Sequence, residues 1–151
     1  MKTIFSIFIF LIVYSTSAQV SFQTGYSEWD SNLKIIDARA SADFDTFKTN
    51  LSLSFNISER KIDYMAGSLS MSPGEIYLAF DIASLSGNGI DDVITIYQQN
   101  RKRGWGYIAQ EAGIKPGSQE FHQLKKNADS SAKNGKGGEK SKGKSKRTKI
   151  G

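Results

Sequence analysis

The chain has 151 residues, 38% of them hydrophobic, with no cysteine, one histidine and a formal net charge of +5. Without cysteine, disulfides, thiolate metal sites and thiol catalysis are excluded, and with His122 as the sole imidazole the usual zinc constellations are excluded too. The charge is segregated: Gln19 to Leu124 carries nine Lys/Arg against thirteen Asp/Glu, a net of −4, whereas Lys125 to Gly151 carries ten against two, a net of +8.

The opening MKTIFSIFIFLIVYSTSAQ has one lysine, an apolar run from Ile4 to Tyr14 and a small polar stretch ending at Ala18. Those are the three zones of a secretory signal peptide. As a helix the run reaches only ~16 Å, about half of a bilayer's hydrocarbon core, which disfavours a permanent anchor. The expectation is a signal peptide over residues 1–18, cleavage near Ala18, and an exported protein, periplasmic or secreted. Residues 19–32 are expected to be flexible or extended.

From Leu33, apolar residues recur at Ile36, Ala40, Phe44, Phe47, Leu51 and Phe55. Steps of three and four over that distance predict one amphipathic helix from about Leu33 to Phe55. Ser58 is the next N-cap, with Ile57 and Ile62 as a hydrophobic staple. A short helix follows, turning Ile62, Met65 and Leu69 inward. MSPGEI is the clearest helix start in the chain. Ser72 caps, Pro73 takes the first helical position, Glu75 closes a capping box, and Met71 with Ile76 forms the staple. Gly87 ends that helix. Asn88 and Asp91 repeat the cap relation for a helix carrying Ile90, Val93, Ile94 and Tyr97, which Gly104 stops.

The stretch RKRGWGYIAQEAGIKPGSQEFHQLKK, Arg101 to Lys126, carries the most unusual residues. Trp105 stands between two backbone-permissive glycines, so its ring can turn onto the bundle at this corner. Ile108, Ala109 and Ala112 face inward on a short helix closed by Gly113, with Ile114 placed for the contact that follows such a C-cap. Pro116-Gly117 turns, and Ser118 caps a last helix with Phe121 and Leu124 on its buried side. Beyond it NADSSAKNGKGGEKSKGKSKRTKIG has no large apolar residue before Ile150 and is expected to be disordered from residue 127. The predicted architecture is all-α: a bundle of five to six short helices over residues 33–126, with a disordered basic tail over 127–151.

The same stretch and its neighbours GWGYIAQEAGIKPGSQEFHQLKK, MSPGEIYLAFDIASLSG and DDVITIYQQNRKRGWG resemble an uncharacterised family of small exported bacterial proteins. In that family a helical segment ends in GWG-x-IA-x-E-x-GIKPGS-x-EFH-x-LK, often followed by a Lys/Gly-rich tail. The resemblance covers roughly Ser58 to Lys126, with Ala112 standing where leucine is usual. It implies export and a helical fold, and it implies no activity, ligand or functional residue.

The candidate binding residues are the cations and aromatics of this region and the tail: Arg101, Lys102, Arg103, Trp105, His122, Lys125, Lys126, Lys140, Lys142, Lys144, Lys146 and Arg147. Lysines spaced by glycine and serine suit an anionic polymer or a membrane surface, through counterion release and screened attraction. A second possibility is a protein partner held in an apolar groove near Trp29, Trp105 or Tyr107. IAQEAGIKPGSQEFH also echoes a helix-turn-helix. Its apolar positions, Phe121 and Leu124, fall out of register with that motif, and export removes the chain from a chromosome, so sequence-specific DNA binding is disfavoured. Catalysis is not expected. Among Asp37, Asp43, Asp45, Asp63, Asp81, Asp91, Asp92 and Glu111 no pair is marked by apolar flanks as an acid/base couple, and no cofactor is implied. Asn50 and Asn56 match the N-glycosylation pattern, read as chance in a bacterial chain.

Overall fold

A computed structural model describes residues 20–134. Seven α-helices follow in order: α1 Ser27–Ala42, α2 Phe44–Phe55, α3 Glu59–Gly67, α4 Pro73–Ser86, α5 Ile90–Asn100, α6 Trp105–Glu111 and α7 Gln119–Asn134. Arg101–Arg103 form a 3-10 turn between α5 and α6. Among the described residues there is no strand, and no helix is long and apolar enough to cross a membrane.

Helix α4 is the axle. Gly74 and every residue from Ile76 to Ala83 are buried, so this helix is covered nearly all round, as a core helix must be. Its start behaves as the sequence dictates: Ser72 Oγ accepts from Glu75 N, and the Glu75 carboxylate accepts from Ser72 N at 2.9 Å. Gly87, with φ 75°, closes it. Helices α1, α2, α3, α5 and α7 all pack against α4. Contacts between α1 and α7 run in the same order along both, from Trp29 on Phe121 to Arg39 on the Ala132 carbonyl. Those between α4 and α7 run in opposite order, Tyr77 with Ser131 and Asp81 with Asn127.

The single helix expected over 33–55 is two. Asp43 leaves the helical region (φ −144°, ψ 76°), and its carboxylate accepts from Thr46 N at 3.1 Å to cap α2. The Thr46 side chain first, and this backbone bond second, hold the Asp43 carboxyl below its ordinary pKa. The apolar stripe continues across this break, which is why periodicity hides it. A smaller shift affects α5. Gly89 is its N-cap and donates to Asp92 Oδ2, while Asn88 donates across to the Ala112 carbonyl and Asp91 pairs with Lys61.

Both boundaries of the helical domain move outward. Residues 20–32 are not a loose lead: Phe22 is fully buried, Trp29 nearly so, and α1 begins at Ser27. At the other end α7 continues to Asn134, with Ala128 and Ala132 buried. Phe121, Leu124, Ala128 and Ala132 form one stripe at helical spacing. Its last two members are alanines, so a search for large apolar residues places the end of order too early. The expected signal peptide and the tail beyond residue 134 lie outside the described residues.

Candidate functional site

Trp105 organises the corner in which the unusual residues collect. Its indole is 2% exposed, stacks on Tyr97 at 5.2 Å between centroids and donates from Nε1 to Glu75 Oε1 at 3.2 Å. Glu75 thereby serves three groups, the Ser72 N–H, the Trp105 indole and the Tyr97 hydroxyl at 3.5 Å. Burial, with the Glu75 charge next, pushes the Tyr97 hydroxyl up to about 12.

The glycines around Trp105 exist for a backbone neighbour. Trp105 N donates to the Phe22 carbonyl at 2.8 Å and Gly106 N to that of Gln23. A Cβ on Gly104 would lie 2.5 Å from the Gln23 Cβ, and one on Gly106 would collide with the Thr24 carbonyl. Gly74 receives the Phe22 ring, with room for no more: an added Cβ there would stand 2.7 Å from it. Thr24 is fixed in turn by Asp30, whose Oδ1 accepts from both its N–H and its hydroxyl. Glycine-tryptophan-glycine is thus the receptor for residues 22–24. Nothing in SFQTG announces that partnership.

With Trp105 committed to the core, it is withdrawn from the candidate binding set, and a groove floored by Trp29 or Trp105 is withdrawn with it. Tyr107 is half-buried beneath the Arg103 guanidinium, which lies 3.4 Å from its ring centroid. Arg101 lies over Tyr97 and reaches the Ser70 carbonyl, and Lys102 is exposed. These three cations follow the C-terminus of α5, where positive charge complements the helix dipole. On α7, His122 and Lys126 are exposed and Lys125 spans the rings of Tyr26 and Phe121. Among the described residues no hydrogen bond or ion pair joins the two basic groups. Lys140, Lys142, Lys144, Lys146 and Arg147 lie outside the described residues.

Between α6 and α7 the chain makes a C-cap at Gly113 (φ 98°), closed by Ile114 N to the Ala109 carbonyl at 2.9 Å and Gly113 N to that of Gln110. Ser118 Oγ then accepts from Phe121 N. Residues 112–118 separate the two helices, more than the three or four residues typical of a helix-turn-helix turn.

The surface depressions among the described residues include two that reach core side chains. One of about 160 Å³ lies at the α1–α2 break, lined by Ile36, Arg39, Asp43, Phe47 and Ser131 among others. The other, about 330 Å³, is a shallow groove beside the stacked Phe55 and Phe80. Among the described residues no three His, Cys, Asp or Glu side chains gather as a metal site would require.

Sequence reasoning singles out Asp81 only as one carboxylate among many, yet it is 5% exposed. Its Oδ1 accepts from Asn127 Nδ2 at 2.8 Å, and its Oδ2 has no partner among the described residues. Burial, opposed by the Asn127 bond, raises its carboxyl to about 7. Its position in α4 between Phe80 and Ile82 is the one available sequence signal, a charge inside a continuous apolar run.

Comparison with protein-family models, with curated proteins and with solved structures finds no match.

Proposed function

We propose that the protein is an exported, non-catalytic helical module whose Lys-rich C-terminal segment binds anionic polymers of the envelope or its surroundings. One observation carries this: the division of charge along the chain. Residues 20–134, the described fold, hold twelve Lys/Arg against fourteen Asp/Glu, while residues 135–151 hold seven against one. A polycation of that spacing, separated by glycine and serine, offers charge without fixed geometry. It suits phosphate- or sulfate-bearing polymers, with salt-sensitive and sequence-indifferent affinity. The slightly acidic fold contributes little attraction of its own. Lys125 and Lys126 continue the basic segment onto α7, and Arg101–Arg103 form a separate exposed group.

The test is retention of the mature chain on immobilised heparin at low salt, against a version ending at Asn134. Stopping there preserves all of α7, so loss of binding is not loss of fold; buried-type emission from Trp29 and Trp105 verifies this. The full chain is expected to bind and to elute as salt rises, and the shortened chain to flow through. Equal retention of both would remove the assignment.

A further inference from the structure

We propose that the C-terminal half of α7, residues 127–134, is a pH-gated latch, docked on α4 while the Asp81 carboxyl is protonated and released as that carboxyl ionises. The seam has four members on one face of α7. Asn127 donates to Asp81 Oδ1, Ser131 meets the Tyr77 hydroxyl at 3.0 Å, and Ala128 and Ala132 fill the space between. Arg39 of α1 holds the Ala132 carbonyl. Past Leu124 no large apolar side chain anchors the helix, so docking of its last two turns rests on small surfaces and polar pairs. Segments held that way open locally at low cost.

No cation contacts Asp81, whose bonded side-chain partner among the described residues is Asn127 alone. On α1, Asp37 is occupied by Gly74 N and Arg39 by the Ala132 carbonyl. On α4, Glu75 serves the first turn, bonded to Trp105 and to Tyr97 of α5, with Arg101 over the Tyr97 ring. On α2 and α3, Lys48 pairs with Asp45 and Asp63, and Lys61 with Asp91 of α5. On α7, Lys133 pairs with Asp129, Lys125 covers Tyr26, and His122 is exposed in the first turn. Tyr77, a turn away, is itself raised, by burial first and by the Asp81 charge second. The docked helix therefore keeps a proton on Asp81 that an opened one gives up to solvent. Because Asp81 titrates near neutrality when covered, rising pH through that range favours opening. The latch ends at Asn134, where the Lys-rich segment begins, so proton concentration sets how firmly that segment's root is held. This stands whether or not the segment binds polyanions.

The chain has no cysteine, so Ser130→Cys gives one thiol on the exposed side of α7 for a nitroxide label. The full chain is followed by spin-label mobility from pH 5.5 to 8.5, with tryptophan emission reporting the rest of the core. The expected result is a mobile component growing several-fold across neutrality while emission stays constant. Asp81→Asn should abolish the response and His122→Gln should keep it. A pH-invariant spectrum, or a response that persists in Asp81→Asn, overturns the proposal. Should Asp81→Asn fail to fold, the carbon-13 shift of the Asp81 carboxyl in the native sequence decides: a midpoint near neutrality supports the latch, one below about pH 5 sinks it.

Discussion

The seam between residues 22–24 and Gly104–Gly106 and the seam between α4 and the end of α7 each join segments far apart in the chain, with opposite materials. The first is backbone on backbone, two main-chain hydrogen bonds in a channel that a single Cβ would block. The second is side chain on side chain, two polar pairs framed by alanines and a carboxyl group whose charge state is open to solvent pH. Main-chain amides do not titrate in the physiological range, so the first seam is strict about shape and indifferent to protons. The second tolerates modest changes of shape and responds to protons.

Substitution at Gly104 breaks the comparison most forcefully. Its φ of 82° and ψ of 166° belong to a region almost confined to glycine, and a side chain there also meets Gln23. Strain and overpacking together put the cost of Gly104→Ala at about 4 kcal/mol, measurable as a fall in the urea midpoint at any pH. The second seam should instead show itself as a slope. The folded-state pKa of Asp81 is raised above its unfolded value, so the docked, protonated form is favoured at low pH and that advantage disappears as pH rises through about 7. Between pH 5 and 7 the loss is about 2 kcal/mol, obtained as the difference between native and Asp81→Asn unfolding curves. Asp43 and Glu120 are shifted the other way and common to both proteins, so they cancel in that difference. Smallest is Tyr77→Phe, which deletes the hydroxyl facing Ser131 and should cost about 1 kcal/mol, read from the same urea titrations. A Tyr77→Phe effect as large as that of Gly104→Ala would erase the distinction between the seams.

The helical class, the α4 start at Ser72–Glu75, the Gly87 stop and the Gly113–Ile114 closure were legible because each depends on residues within a few positions of one another. Phe22 was not, because its meaning lies in glycines at 74, 104 and 106. The break at Asp43 was hidden by an apolar stripe that stays in phase across it, and the length of α7 by alanines that pack without looking like core. Of the candidate site, the exposed cations at Arg101–Arg103 and Lys126 stand where local pattern places them. The freedom of its flanking glycines lets the Trp105 ring turn onto the bundle, which the structure bears out, but the backbone crossing those glycines admit has no local signal. Asp81 is the sharper omission. Its isolation within an apolar run was visible, but the Asn127 that shares its burial comes from a segment whose composition looks disordered.

The crossing of residues 22–24 over Gly104–Gly106 also bears on the order in which the protein can be completed. Phe22 is among the first core residues of a chain delivered N-terminus first, and its last neighbours follow roughly eighty residues later. Until they arrive, the site at Gly74 and the ring that belongs on it stay without their backbone clasp. A nascent chain interrupted before Trp105 therefore lacks the main-chain clasp on residues 22 and 23 and holds its beginning only by the Gly74 and Asp30 contacts.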